Sequence, residues 1–381
     1  MIKIIIISIT FAHSNTNKTV MQLFSYRRWP LMISSPTDST DIHKQAKVTS
    51  RPLSAIAIIV IGLAALVLGM MLSVSYGAKD IDLATVWTAV FRFNPDLTEH
   101  QVIQALRLPR VTAGAMVGAS LAVAGAMMQG MTRNPLADSG LLGLNAGAGF
   151  ALAICFAFFP GTPFTALMLY SFLGAALGAI IVFGIGSISL GGLSPMRLTM
   201  AGAAVTALLM SFSQGIALHF RVGQNLAFWY AGGVAGTRWD QVELMFPWVA
   251  AGLIGAMLLS RGITLLSFGD QVAVGLGLRV VPIKIASFVV VLLLAGVSVA
   301  VAGAIGFIGL LIPHITRALV GVDYRWVIPC SAVLGALLVV AADFAARTIN
   351  MSFETPVGAL IALLGVPFFL YLVRRERREM Q

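Results

Sequence analysis

The chain has 381 residues, of which 58% are apolar and only 10% charged, with a formal charge of +10. A soluble domain carries roughly 25% charged residues, so a chain this apolar cannot cover a water-facing surface; in a bilayer that requirement disappears, because lipid-facing positions are best apolar. The basic excess does not point to nucleic acid, since it sits in an N-terminal tail and in loops between apolar runs, not on a Lys/Arg stripe of a soluble domain.

Residues 1–52 are polar and lack a long apolar run. The stretch IIIISITFA (4–12) follows Lys3 like a signal h-region, but it is too short to span and carries no small-x-small cleavage site. Met32 opens a more ordinary cytoplasmic tail. The first 52 residues are therefore expected to be a poorly ordered tail, with a start site placed upstream of the natural one. The body of the protein is expected at 53–375, with a basic cytoplasmic tail at 376–381.

Apolar runs follow at 53–76, 109–131, 142–159, 164–187, 198–219, 241–260, 283–303, 305–320, 328–349 and 356–373. Each is near the roughly 20 residues that a membrane helix needs. The third and eighth are short and interrupted. An all-α integral membrane protein of ten transmembrane helices is expected. With the N-terminus inside, 18 of the 25 Lys and Arg fall on the inner side, which places both termini in the cytoplasm.

GASLAVAGAM (118–127) recurs as GVSVAVAGAI (296–305), and each copy is followed by a Pro-containing polar break. The two copies run in opposite directions through the membrane, an inverted repeat of the kind common in transporters. Their AVAG segments (122–125 and 300–303) are expected at close helix contacts, because small residues let backbones approach.

Catalytic signatures are missing from this sequence. There is no G-x-x-x-x-G-K-[ST], so ATP hydrolysis is expected on another subunit, and no H-E-x-x-H or G-x-S-x-G occurs. Cys155 and Cys330 lie inside apolar runs, and the five histidines are scattered, so no metal site and no cofactor are expected. Asp343 is the one carboxylate well inside a run. It could serve an ion-coupled carrier as a proton or ion site, or pair with Arg347 one turn later on the same face.

RLPR (107–110), GASLAVAGAMMQ (118–129), RNPLADSGLLGLNAGAG (133–149), AGAIGFIGLLIPHITRALVG (302–321) and ETPVGALIALLGVPFF (354–369) resemble the FecCD-type permeases. These are membrane subunits of ABC importers for iron–siderophore complexes, haem or cobalamin. The resemblance covers about residues 55–375. It implies ten helices, a second permease subunit (identical or paralogous), two ATP-binding subunits inside and a substrate-binding protein outside, all in a bacterial cytoplasmic membrane. Membrane lipid is an expected partner and nucleic acid is not.

Carried over by position, the resemblance makes Arg107, Arg110 and Arg347 the arginines that grip acidic residues of the binding protein. It makes SFGDQVAVGLGLRV (267–280) the loop seated in a cleft of the ATPase, with Gly269, Asp270, Ala273, Gly275 and Gly277 matching the pattern, although Glu is commoner than Asp at 270. The path is expected along spans five and ten, with help from three and eight, and with Met200, Ala204, Met210, Ser211 and Gln214 as lining candidates. Asn134, Pro135, Pro313, His314 and Asp343 are candidate structural or gating positions; His314, with nearby Arg317, is expected to bridge helices. The expected function is import of iron(III)–siderophore complexes, with cobalamin or haem as alternative cargo on the same scaffold.

Overall fold

A computed structural model describes residues 50–77, 80–188, 195–349 and 355–379. The tail expected at 1–52 lies outside the described residues except for its last three positions. Residues 48–381 form one unit.

Among the described residues the regular structure is helical. The long elements are α1 (Pro52–Ser75), α4 (Leu108–Thr132), α6 (Phe164–Ile188), α7 (Pro195–His219), α9 (Trp239–Ser267), α11 (Val280–Ala302), α13 (Tyr324–Ile349) and α14 (Val357–Glu379). Between them lie α2 (Leu83–Phe91), α3 (Thr98–Val102), α5 (Leu144–Phe158), α8 (Gly223–Ala231), α10 (Asp270–Gly275) and α12 (Ile308–Val320). Seven helices are long and apolar enough to cross a membrane, with α4 counted from Thr98; α5, α12 and the Val357–Leu372 part of α14 are shorter apolar helices. Together these ten match the expected ten runs one for one. The bilayer explains the choice of helix: with no water to satisfy backbone N–H and C=O groups, each span must satisfy its own.

Two boundaries differ from expectation in ways that matter, and short helices are added between the spans. Helix α9 runs on to Ser267, well past the expected end at 260. The eighth run begins as a helix only at Ile308, because Gly303 and Phe307 both adopt positive φ (70° and 69°) and leave 303–307 unwound. The short helices α2, α8 and α10 carry too few residues for a span-length pattern to reveal them.

Helix α4 is the hub. It packs on α13, α11, α9 and α12, and nearly every residue from Val117 to Met131 is buried. Small residues make this possible. A Cβ at Gly118 would sit 2.1 Å from Gly335 O on α13, and one at Gly125 would sit 2.0 Å from Gly309 O on α12. Gln129 adds a buried bridge, its Nε2 donating to Gly309 O at 3.0 Å. The first AVAG segment thus lies at the closest helix approach. The two short helices occupy corresponding places: α5 follows α4 through a polar break, and α12 follows α11 through the unwound 303–307.

Candidate functional site

Two groups of side chains at opposite ends of α4 stand out. At the end where α4 begins, a π-helical turn (Ile103–Arg107) precedes Pro109, and such turns often mark functional positions. It aims Arg107 at the C-terminus of α1, where Nη1 donates to Val74 O (2.6 Å) and Ser75 O (2.9 Å). These carbonyls end a helix and have no helical N–H partner, and a cation there also meets the negative end of the dipole. The turn is fixed from its other side by Trp239 Nε1, which donates to Gln104 O at 2.6 Å.

One turn further along, Arg110 Nε lies 2.9 Å from Asp343 Oδ1 on α13. Arg347 approaches the same carboxylate, its Nη2 3.2 Å from Asp343 Oδ2. Arg347 also donates to Ser73 Oγ on α1 and to Tyr76 O just beyond its end. Asp343 is fully buried, while the two guanidinium side chains keep 13% and 14% of their surface. The sequence spacing exposed the Asp343–Arg347 pair, because four residues make one helical turn. The Arg110 partner was invisible, since it lies on another helix. The three arginines therefore converge on the C-terminus of α1 and on one carboxylate.

At the other end, α4 stops at Arg133, held at φ 55°. Asn134 then closes a turn, its Oδ1 accepting from Leu136 N at 2.9 Å, with Pro135 at the corner. The segment after α9 begins beside this turn. Gly269 has φ 117°, which side chains rarely adopt, and a Cβ there would lie 3.5 Å from Arg133 Nη1. Helix α10 follows, buries Ala273 and is closed by Gly277 at φ 82°. Gly275 is exposed, and so are the apolar side chains of Val272 and Val274 on this six-residue helix and of Leu276 just after it, with no cover among the described residues. Lys284 on α11 donates to Asp270 Oδ2 at 2.6 Å and ties α10 to the next span. Sequence reasoning missed Lys284; a lone lysine near a span end gives no signal of its partner.

The path candidates all lie on α7 and all are exposed in the single chain. Met200, Ala204, Ser211 and Gln214 fall on one stripe, whereas Met210 lies about 80° round the helix from Met200 at 100° per residue. Pro313 is buried in α12, and the ring of His314 meets that of Phe368 on α14 edge-on, with centroids 5.5 Å apart. Among the described residues no cluster of His, Cys, Asp or Glu could hold a metal ion.

The model of the FecCD transport family matches residues 65–375. The chain belongs to the FecCD transport family. It is 52% identical, over 93% of each chain, to the iron(3+)-hydroxamate import system permease protein FhuB of Bacillus subtilis. It is 36% identical to the hemin transport system permease protein HmuU of Yersinia pestis, covering 81% of this chain and 92% of that one. Among solved structures, a metal-chelate type ABC transporter in an inward-facing conformation superposes with a TM-score of 0.74 at 27% identity, over 84% of this chain and 99% of that one. Membership of the FecCD family makes the chain a multi-pass membrane protein of a transport system and accounts for its ten apolar helices.

Proposed function

We propose that the chain is the permease subunit of an ABC importer that carries iron(III)–siderophore complexes across a bacterial cytoplasmic membrane, with hydroxamate chelates as the first cargo to test. The observation that carries this reading is the 52% identity to a hydroxamate permease along 93% of both chains. Haem is the second reading, supported by the 36% identity to a hemin permease.

In this reading the arginine end of α4 faces outward and the α10 end faces the cytoplasm, as do both termini. Arg107, Arg110 and Arg347 receive acidic residues of a substrate-binding protein, since guanidinium–carboxylate pairs are bidentate and orient a partner. The exposed apolar face of α10 enters an ATP-binding subunit, which supplies the hydrolysis. Two such subunits and a second permease complete the assembly. The stripe of Met200, Ala204, Ser211 and Gln214, mixed apolar and polar, faces the path between permeases, with Met210 at its edge. An ion-coupled carrier would need Asp343 to bind a proton or cation, but two guanidiniums already compete for that carboxylate. Disrupting the gene tests the cargo. Growth on a ferric tris-hydroxamate chelate as sole iron source is expected to stop, while growth on ferric citrate continues. Unimpaired hydroxamate growth, with no other permease present, would overturn the reading.

A further inference from the structure

We infer that α2 is a membrane-interface anchor, with Leu83, Trp87, Val90 and Phe91 immersed in the lipid leaflet at the end of the bundle where α4 begins. The inference depends neither on the cargo nor on the docking role proposed above. The nine residues of α2, LATVWTAVF, include no charged side chain. Val86 and Ala89 are buried against the bundle. Leu83, Trp87, Val90 and Phe91 fall on a separate arc of about 100°, at 100° per residue. All four are exposed, Trp87 at 57% and Phe91 at 65%. A surface helix in water carries polar residues opposite its core face, and a helix apolar all round is buried on every side. Among the described residues, only the Val86 and Ala89 side of α2 is covered.

Continuity with α1 favours lipid over a protein as the missing cover. Val60, Ile61, Val67 and Leu68 of α1 are all exposed, as suits a helix in contact with acyl chains. Helix α1 ends at Ser75, α2 starts at Leu83, and the two pack on each other. The cluster that buries Val86 and Ala89 also holds Val74 of α1 and Val111 of α4, with Leu66 and Met70 packed against it. The buried side of α2 therefore continues the interior of the spans. Trp87 and the exposed Tyr76 at the end of α1 are the amphipathic aromatics that concentrate at headgroup depth. The rings of Trp87 and Phe91 lie 4.4 Å apart and form one aromatic surface. Charges flank α2 instead of lining it: Asp80 and Asp82 precede it, Arg92 follows, and all three are exposed. Such a helix lies in the interface plane with its apolar face roughly 5–10 Å into the boundary between headgroups and chains. Gln104 Nε2 donates to Ala89 O at 2.9 Å, so the anchored helix also holds the π-helical turn that leads into α4.

Quenching by brominated lipid tests this in the assembled complex in phosphatidylcholine nanodiscs. The Trp87 signal is the emission of the parent minus that of Trp87→Phe, a variant that keeps the apolar face. Bromine on the acyl chain near the headgroup is expected to remove roughly half of that signal. Bromine near the chain terminus removes less, and iodide in the water removes little. Quenching by iodide but not by brominated lipid shows that the face meets water, and quenching by neither shows that a protein covers it; either result overturns the anchor. A second readout needs no subtraction. Phe91→Cys is labelled with a nitroxide, while Cys155 and Cys330 are buried. Molecular oxygen, which concentrates in lipid, is expected to relax this nitroxide several-fold more than a water-soluble nickel chelate does. The reverse order overturns the inference.

Discussion

Arg110 and Asp343 are 233 positions apart in the chain and meet at 2.9 Å on two helices that each cross most of the bundle. Because Asp343 is fully buried, removing it takes a buried carboxylate away from two partly buried cations. Breaking such a buried pair costs about 3–5 kcal/mol. Asp343→Ala is therefore expected to lower the thermal unfolding midpoint of the purified complex markedly. A midpoint within one degree of the parent would show that the cluster contributes nothing to the fold.

Close packing of α4 supplies the second expectation. A side chain at Gly118 or Gly125 would collide with backbone, at 2.1 Å and 2.0 Å, and backbone cannot rotate away. Gly118→Val or Gly125→Val is expected to block assembly of the bundle. Gly184, on α6, has open space at its Cβ position, so Gly184→Ala is expected to be neutral or to stabilise by up to about 1 kcal/mol. Yield of monodisperse protein after detergent extraction measures both.

The α10 segment gives a third. Val272 and Leu276 are 48% and 64% exposed, and charging them should leave the fold untouched. Val272→Glu with Leu276→Glu is expected to abolish co-purification of the ATP-binding subunit. Lys284→Met breaks the tie to Asp270 and is expected to keep that subunit bound while lowering transport per ATP hydrolysed. Normal co-purification of the first variant would remove α10 from the interface.

A fourth concerns pH. Asp323 precedes α13 and its Oδ1 accepts from Arg325 N at 3.0 Å, as a helix cap does. Burial alone pushes its carboxyl up, but the hydrogen bonds and charge of Arg325 outweigh this and hold it below its ordinary range. A depressed folded-state value means the stabilisation is present above the unfolded-state value and is lost as pH falls through the folded one. Asp323→Ala is expected to cost about 1 kcal/mol at pH 7, and the difference from the parent should vanish in strong acid. Thermal midpoints at the two pH values check it.

The fold was legible because a bilayer demands long apolar runs, and ten such runs can be counted without knowing any contact. Glycine positions were legible in kind, since AVAG marks close approach, but the partners Gly335 and Gly309 were not. Asp343 with Arg347 could be read from helical spacing; Arg110 with Asp343, and Lys284 with Asp270, could not, because each pair joins different helices. The sequence placed a break between the runs ending at 303 and starting at 305, but its full extent, 303–307, was hidden for another reason. Its residues are as apolar as a span, and only the backbone at Gly303 and Phe307 shows that the helix stops.

Uptake into proteoliposomes tests the central claim most directly: that this chain is a gate driven from outside itself. The protein is reconstituted with and without its ATP-binding subunit and binding protein, and accumulation of a radiolabelled ferric hydroxamate chelate is followed. Uphill accumulation is expected only when both partners and ATP are present. Uphill accumulation by the chain and its permease partner alone, driven by an ion gradient, would contradict the account.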